Sequence, residues 1–237
     1  MGSLDDLLAV QALDTRADQL RHRRATLPER DESTAARNRR DVAESQAATV
    51  RARLHDLRHQ QKALEDEASL VEDKATDVER KLYDGTVTAH KELEAFQADH
   101  RMLKARQSEL EDGAIEVMEQ AEPVESELGT LEAAVVDQQH LMDRLGSAIA
   151  GAEAQLDAEL ADTASERAAA AAGLPSEVLE AYELLRTQLG GVGAARLLGA
   201  RCEGCHLEIP SAQLEAVRKA PPEAIVTCPE CGRLLVR

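Results

Sequence analysis

From Leu93 to Leu156 the chain repeats a pattern that leaves few folds open to it. Leu93, Phe96, His100, Leu103, Gln107, Leu110, Ala114, Val117, Ala121, Val124, Leu128, Leu131, Val135, Gln138, Met142, Leu145, Ile149, Ala152 and Leu156 follow one another at alternating three- and four-residue steps, holding phase for nine heptads. A 3.5-residue repeat sustained this long winds helices into a left-handed supercoil and does not build a globular core. A second seam runs from Val50 through Leu54, Leu57, Gln61, Leu64, Ala68, Val71, Ala75 and Val78 to Leu82. Only Tyr83, Phe96 and Tyr182 are aromatic and there is no Trp, which a compact core of 237 residues would rarely tolerate.

The stretch "LYDGTVTAHKEL" separates the two seams. Asp84-Gly85 is a turn signal, the β-branched Thr86, Val87 and Thr88 interrupt the helix, and Thr88 is the expected N-cap of the next one. A short turn between long seams favours an antiparallel hairpin, with arms of roughly 115–120 Å at 1.5 Å per residue. Whether one chain satisfies its own seam or two chains exchange arms is not set by the repeat. Upstream, Val10, Leu13, Ala17, Leu20 and Leu27 follow a different phase. The 23 residues from Leu27 to Val50 do not fit the repeat, and Pro28 opens a segment poor in large apolar residues, so a kink, a break or loose packing is expected over 28–41. Pro123 is a candidate bend in the second arm. The polar seam members Gln61, His100, Gln107 and Gln138 read as register-setting residues.

Charge is unevenly spread. The net value is −17, yet residues 16–58 carry 11 arginines against 7 acids, while residues 59–172 carry 10 bases against 27 acids. Folding the hairpin about residue 86 sets residue i against roughly 172 − i, which brings the arginines opposite the acids of 114–156. Cross-arm pairing is therefore the expected role of the arginines, ahead of phosphate binding. No run approaches the ~18 apolar residues of a membrane span. The stretch "MGSLDDLLAVQALD" lacks the basic region and cleavage site of a secretory leader, so a cytoplasmic protein is expected.

After residue 172 the heptads stop at Gly173 and Pro175. "SEVLEAYELLRTQL" reads as a short helix capped by Ser176, and "GGVGAARLLGARC" as a glycine turn and a strand. Cys202 and Cys205, then Cys228 and Cys231, form two CxxC pairs with 22 residues between them, and the chain has no other cysteine. Two close pairs suit a tetrahedral all-thiolate zinc site, one per chain. "SAQLEAVRKA", capped by Ser211, is read as a helix inserted between the knuckles, and "AIVTC" with "RLLVR" as a hairpin around the second. No βαβ unit supports a redox CxxC, and a reducing cytosol disfavours disulfides. An iron–sulfur cluster shares the spacing. Four thiolates leave no open position for catalysis, His206 is not needed as a ligand, and no acid–base constellation marks an enzyme or a small-molecule substrate site.

The tip "LYDGTVTAHKELEAFQ", the helix "LPSEVLEAYELLR" and the double knuckle "GARCEGCHLEIP…IVTCPECGRLLV" together resemble the bacterial C4-type zinc-ribbon proteins with an N-terminal coiled-coil hairpin. The resemblance covers nearly the whole chain and departs from the family at Ala89-His90, where Asn followed by a small residue or proline is expected. It implies a mainly α fold: an antiparallel coiled-coil hairpin over 1–172, turning near 83–90, then a short helix and four-cysteine zinc ribbon over 173–237. It implies Cys202, Cys205, Cys228 and Cys231 as ligands of one structural zinc, and Tyr83, Gly85, Lys91, Glu92 and Leu93 as a tip element for a partner. The family's ribbon implies nucleic-acid binding, and some members are linked to regulation through a sigma factor or messenger RNA. On charge, any contact with RNA or DNA is confined to Arg196, Arg201, Arg218, Lys219, Arg233 and Arg237, with no stacking aromatic beside them. The expected function is a non-enzymatic adaptor or regulator with a regulatory or transcription-linked protein partner, or a pure protein scaffold bridging partners through tip and ribbon.

Overall fold

The computed structural model describes residues 4–221 and 224–237; the first three residues of the N-terminal stretch read above lie outside this range. The elements are α1 (Leu4–Ala25), α2 (Pro28–Tyr83), α3 (His90–Ala171), α4 (Ser176–Gln188), β1 (Ala194–Leu198), β2 (Arg201–Cys202), α5 (Ser211–Lys219) and β3 (Leu234–Val236). They form two compact units. One is Glu32–Arg144, and the other joins residues up to Asp31 with Leu145–Arg237.

Glu32–Arg144 is a helical hairpin made by α2 and α3. Between Arg51 and Leu82 every seam residue is buried or half-buried and every other residue is exposed. Leu54 packs with Ala121 and Val124, flanked by Val50, Leu57 and Leu128, and Ala68 and Val71 pack with Leu110. Leu54 opposite Val124, and Ala68 opposite Leu110, put residue i against roughly 178 − i instead of 172 − i. The fold axis lies near residue 89 because α2 stops at Tyr83 while the first turn of α3 projects beyond it. The expected charge pairing is present: Arg51 meets Glu132 at 2.6 Å and Arg58 meets Glu125 at 2.7 Å. Arg39 and Arg40 donate instead to the amide oxygens of Gln138 and Gln139.

In the turn, Gly85 has φ +78°, and Asp84 Oδ1 accepts from the Thr86 N–H (2.8 Å) and hydroxyl. These bonds hold the Asp84 carboxyl below its ordinary range. The Ala89 carbonyl accepts the Glu92 and Leu93 N–H groups, so Ala89 stands where Thr88 was expected to cap α3. The helix continues through Pro123.

The segment 28–41 corrects the sequence expectation. The break is upstream, at Thr26–Leu27, and Pro28 is the first residue of α2, where its missing N–H costs no hydrogen bond. Behind it the heptad runs unbroken through Glu29, Ser33, Ala36, Arg40, Ala43 and Ala47 into Val50, all of them covered, and Ala36 is fully buried. The segment is seamed with small and charged side chains in place of large apolar ones, which lets two helices approach closely.

In the other unit, Leu20 and Leu27 pack with Leu156. α1 also packs through Leu7 and Val10 on Val178 and Tyr182 of α4 and on Ala194, Leu234 and Val236 of the sheet. The sheet order is β2-β1-β3, with β1 antiparallel to β2 and parallel to β3. The expected hairpin of "AIVTC" with "RLLVR" is present but short: Thr227 bridges Leu234, the Leu235 N–H donates to the Val226 carbonyl and the Cys228 N–H to that of Arg233, while β3 also pairs with β1. α4 and α5 both begin at the expected serine, but the caps are Pro175 and Pro210: each proline sits in extended backbone and its carbonyl accepts the first helical N–H groups. Among the described residues no helix is long and apolar enough to cross a membrane.

Candidate metal centre

Each CxxC lies in a tight knuckle, and the two are built alike. In the first, the His206 N–H donates to the Cys202 carbonyl (2.8 Å) and the Cys202 N–H to the Leu207 carbonyl (3.0 Å). In the second, Gly232 donates to Cys228 and Cys228 to Arg233, both at 2.8 Å. The residue after the second cysteine has positive φ in both, +76° at Gly232 and +63° at His206, the one non-glycine residue with positive φ among the described residues. His206 is exposed and serves the turn, outside the sulfur cluster. Inside the first knuckle, a Cβ on Gly204 would lie 2.6 Å from the Arg233 side chain and 2.8 Å from Ala195 Cβ, so no larger residue fits.

The knuckles bring the four sulfurs within 4.8 Å of one another. Cys202 and Cys231 sulfurs are 3.9 Å apart and those of Cys205 and Cys228 are 4.0 Å apart. A disulfide needs ~2.05 Å. Four sulfurs bound tetrahedrally at ~2.3 Å lie ~3.8 Å from one another, so the cluster fits a zinc ion closely. Burial pushes the Cys202 thiol up and the Cys228 thiol up to about 12, against the pull of backbone N–H groups in each knuckle. At Cys231 burial acts in the same sense, but the Arg233 N–H and guanidinium outweigh it and hold the thiol at about 7. The buried Cys202 and Cys228 thiols, reluctant to ionise by themselves, become thiolates beside a cation, which couples zinc binding to folding. With its shell complete, the zinc is structural.

The structure separates the basic residues named from sequence. Arg196 and Arg201 are exposed on β1 and β2, with Arg201 directly opposite Leu198, which is 62% exposed. Arg218 donates to the Gly199 carbonyl at 3.0 Å, so its guanidinium lies at the same β1–β2 turn. Lys219 pairs with Glu215 on the surface of α5. Arg233 and Arg237 are tied to backbone carbonyls, Arg233 half-buried and Arg237 exposed. Arg233 donates to the Val192 carbonyl (3.1 Å), and Arg237 closes the end of α5 by donating to the carbonyls of Val217, Ala220 and Pro221. At the hairpin tip Tyr83 is 82% exposed, Lys91 and Glu92 also face solvent, and Leu93 is half-buried as the first seam residue of α3.

A second polar cluster was not found from sequence. Asp14 of α1 is buried and accepts from the Tyr182 hydroxyl (2.8 Å) and Arg167 Nε (2.7 Å). Arg167 also pairs with Glu183, and Arg186 with Asp18 at 2.7 Å. Burial and the Asp14 carboxylate hold the Tyr182 phenol far above its ordinary range. Gln11, also buried, accepts from the Gly193 N–H (2.7 Å) and donates to the Gly191 carbonyl (3.0 Å). A Cβ on Gly193 would lie 2.8 Å from the Tyr182 carbonyl oxygen and the Arg186 nitrogen, which fixes glycine there. The available signal was the spacing of Gln11, Asp14 and Asp18 beside the Leu7–Val10 stripe, together with the lone aromatic of α4.

Comparison with known proteins agrees with this architecture. The family described as a CT398-like coiled coil hairpin domain matches residues 10–190, and a C4-type zinc ribbon domain matches 201–235. The chain is 32% identical over 238 residues to the Mycobacterium tuberculosis proteins Rv2229c and MT2288, covering 98% of this chain and 94% of each relative. A solved structure from Mycobacterium smegmatis superposes with a TM-score of 0.82 at 27% identity, over 98% of this chain and 97% of the other. CT398 from Chlamydia trachomatis shares the fold, with a TM-score of 0.65 at 18% identity over 98% and 96% of the two chains. A coiled-coil hairpin seamed over its full length and a four-thiolate ribbon place the chain in the CT398-like family of bacterial coiled-coil proteins with a C4-type zinc ribbon.

Proposed function

We propose that the protein is a non-enzymatic adaptor or regulator whose zinc ribbon contacts a phosphate-bearing nucleic acid and whose hairpin tip engages a protein. The observation that carries the first half is the grouping of Arg196, Arg201 and Arg218 at the β1–β2 turn around the exposed Leu198. Arginine on a rigid turn suits phosphate recognition, and a structural zinc supplies the rigidity. The tip reading rests on Tyr83, which leaves its phenol ring in water at the end of α2.

A purely protein-binding scaffold is the second reading. It is favoured by the backbone carbonyls that engage Arg233 and Arg237 and leave a small basic patch on a strongly acidic chain. The zinc-loaded protein titrated with short RNA and DNA across a salt series separates the two. Saturable binding that weakens as salt rises, and is lost in the Arg201→Glu, Arg218→Glu double variant, supports nucleic-acid contact. No binding at low salt excludes it and leaves the scaffold.

A further inference from the structure

The β1–β3 pair is a wall with two working faces. Strand residues alternate sides. Ala194, Leu234 and Val236 face α1 and pack with Leu7, Val10 and Tyr182. Ala195 and Leu235 face the other way and pack with Cys202 and Cys228, two of the zinc ligands. β3 begins three residues after Cys231. Gln11 then grips the lead-in to β1 through Gly191 and Gly193, and also receives the Ala194 N–H at 3.3 Å.

We infer that zinc occupancy of the ribbon latches α1 onto the sheet, with Gln11 as the positioning residue that couples them. Without the metal the second knuckle is held beside the first only by the Arg233 contacts and by the packing of Ala195 and Leu235, and β3 loses the metal–thiolate bonds that anchor it beside β1. α1 then loses the wall against which Leu7 and Val10 are buried. Coupling of this kind is reciprocal, so loosening α1 must also loosen the zinc.

The test is hydrogen-exchange mass spectrometry on the full chain, zinc-loaded and after treatment with EDTA. The amides of Leu7–Thr15 should lose protection by about tenfold or more on zinc removal. Those around Leu54 and Val124, deep in the Glu32–Arg144 hairpin, should not change. Equal exchange of Leu7–Thr15 in both states overturns the inference. So does loss of protection at Leu54 and Val124 in step with it, because zinc would then support the whole chain and not a latch. The reciprocal arm measures zinc release from Gln11→Ala to a colorimetric chelator, starting from one zinc per chain. Release should quicken by about fivefold or more, and an unchanged rate overturns the proposal. The exchange arm uses the natural sequence, so it decides the matter even if Gln11→Ala folds poorly.

Discussion

Within Glu32–Arg144 two helices meet along a line mostly of alanine, valine and leucine side chains, and most of their charges lie outside on flanks such as Arg58–Glu125. In the other unit a carboxylate, two guanidinium groups, a phenol and an amide are folded into the packing itself. The hairpin can repeat because each heptad needs only its neighbours, so its stability is spread evenly and no single polar group matters much. The other unit cannot repeat. It joins a helix to a sheet about 180 positions further along, and directional bonds are what specify that one docking.

The contrast can be broken at several strengths. Cys228→Ser should have the largest effect. Zinc content should fall from one per chain to near none, and the ribbon should lose its amide protection while helicity at 222 nm stays largely intact, checked by metal analysis and circular dichroism. Asp14→Ala comes next, because it leaves the Tyr182 hydroxyl buried without its acceptor and Arg167 with Glu183 alone. A loss of about 3 kcal/mol is expected, read from urea unfolding. The same site gives a pH signature. The folded Tyr182 phenol holds its proton more tightly than the unfolded one, so this stabilisation is complete below about pH 10 and drains away as pH rises above it. Urea midpoints between pH 8 and 11 should show that fall, and Tyr182→Phe should flatten it.

In the hairpin, Leu54→Ala should cost about 2–3 kcal/mol by leaving a cavity against Val124, with no change in zinc affinity. His206→Gly should stabilise the zinc-loaded protein by about 1 kcal/mol, because the first knuckle then takes its left-handed turn as freely as Gly232 does in the second. Arg58→Gln should shift the unfolding midpoint least, by under about 0.5 kcal/mol, since its pair with Glu125 lies in water. A larger loss there than at Asp14 would reverse the contrast drawn between the two units.

The same contrast explains what could be read in advance. All nineteen residues named for the α3 seam are covered, because a period shows in the order of neighbours. The first third of α2 was misread because its seam members are Ser33, Ala36, Arg40, Ala43 and Ala47: the phase is intact, but hydrophobicity does not mark it. The four cysteines announced their chemistry by spacing alone. Gln11 and Asp14 left only their spacing beside the Leu7–Val10 stripe as a signal, since a polar residue on a helix gains its meaning from what is brought against it. Arg233 and Arg237 looked like phosphate ligands for the same reason, and only the positions of Val192 and the end of α5 show them spoken for.

The two tyrosines fall one in each unit, Tyr83 at the tip of the hairpin and Tyr182 sealed against Asp14. With no tryptophan to mask them, and phenylalanine emitting only weakly, nearly all of the protein's ultraviolet emission comes from these two rings. Replacing either with phenylalanine leaves a chain whose fluorescence reports on one unit alone. The molecule thus carries its own pair of optical labels, one facing solvent, where the binding proposed for the tip would alter its quenching, the other reading whether α1 is docked on the sheet.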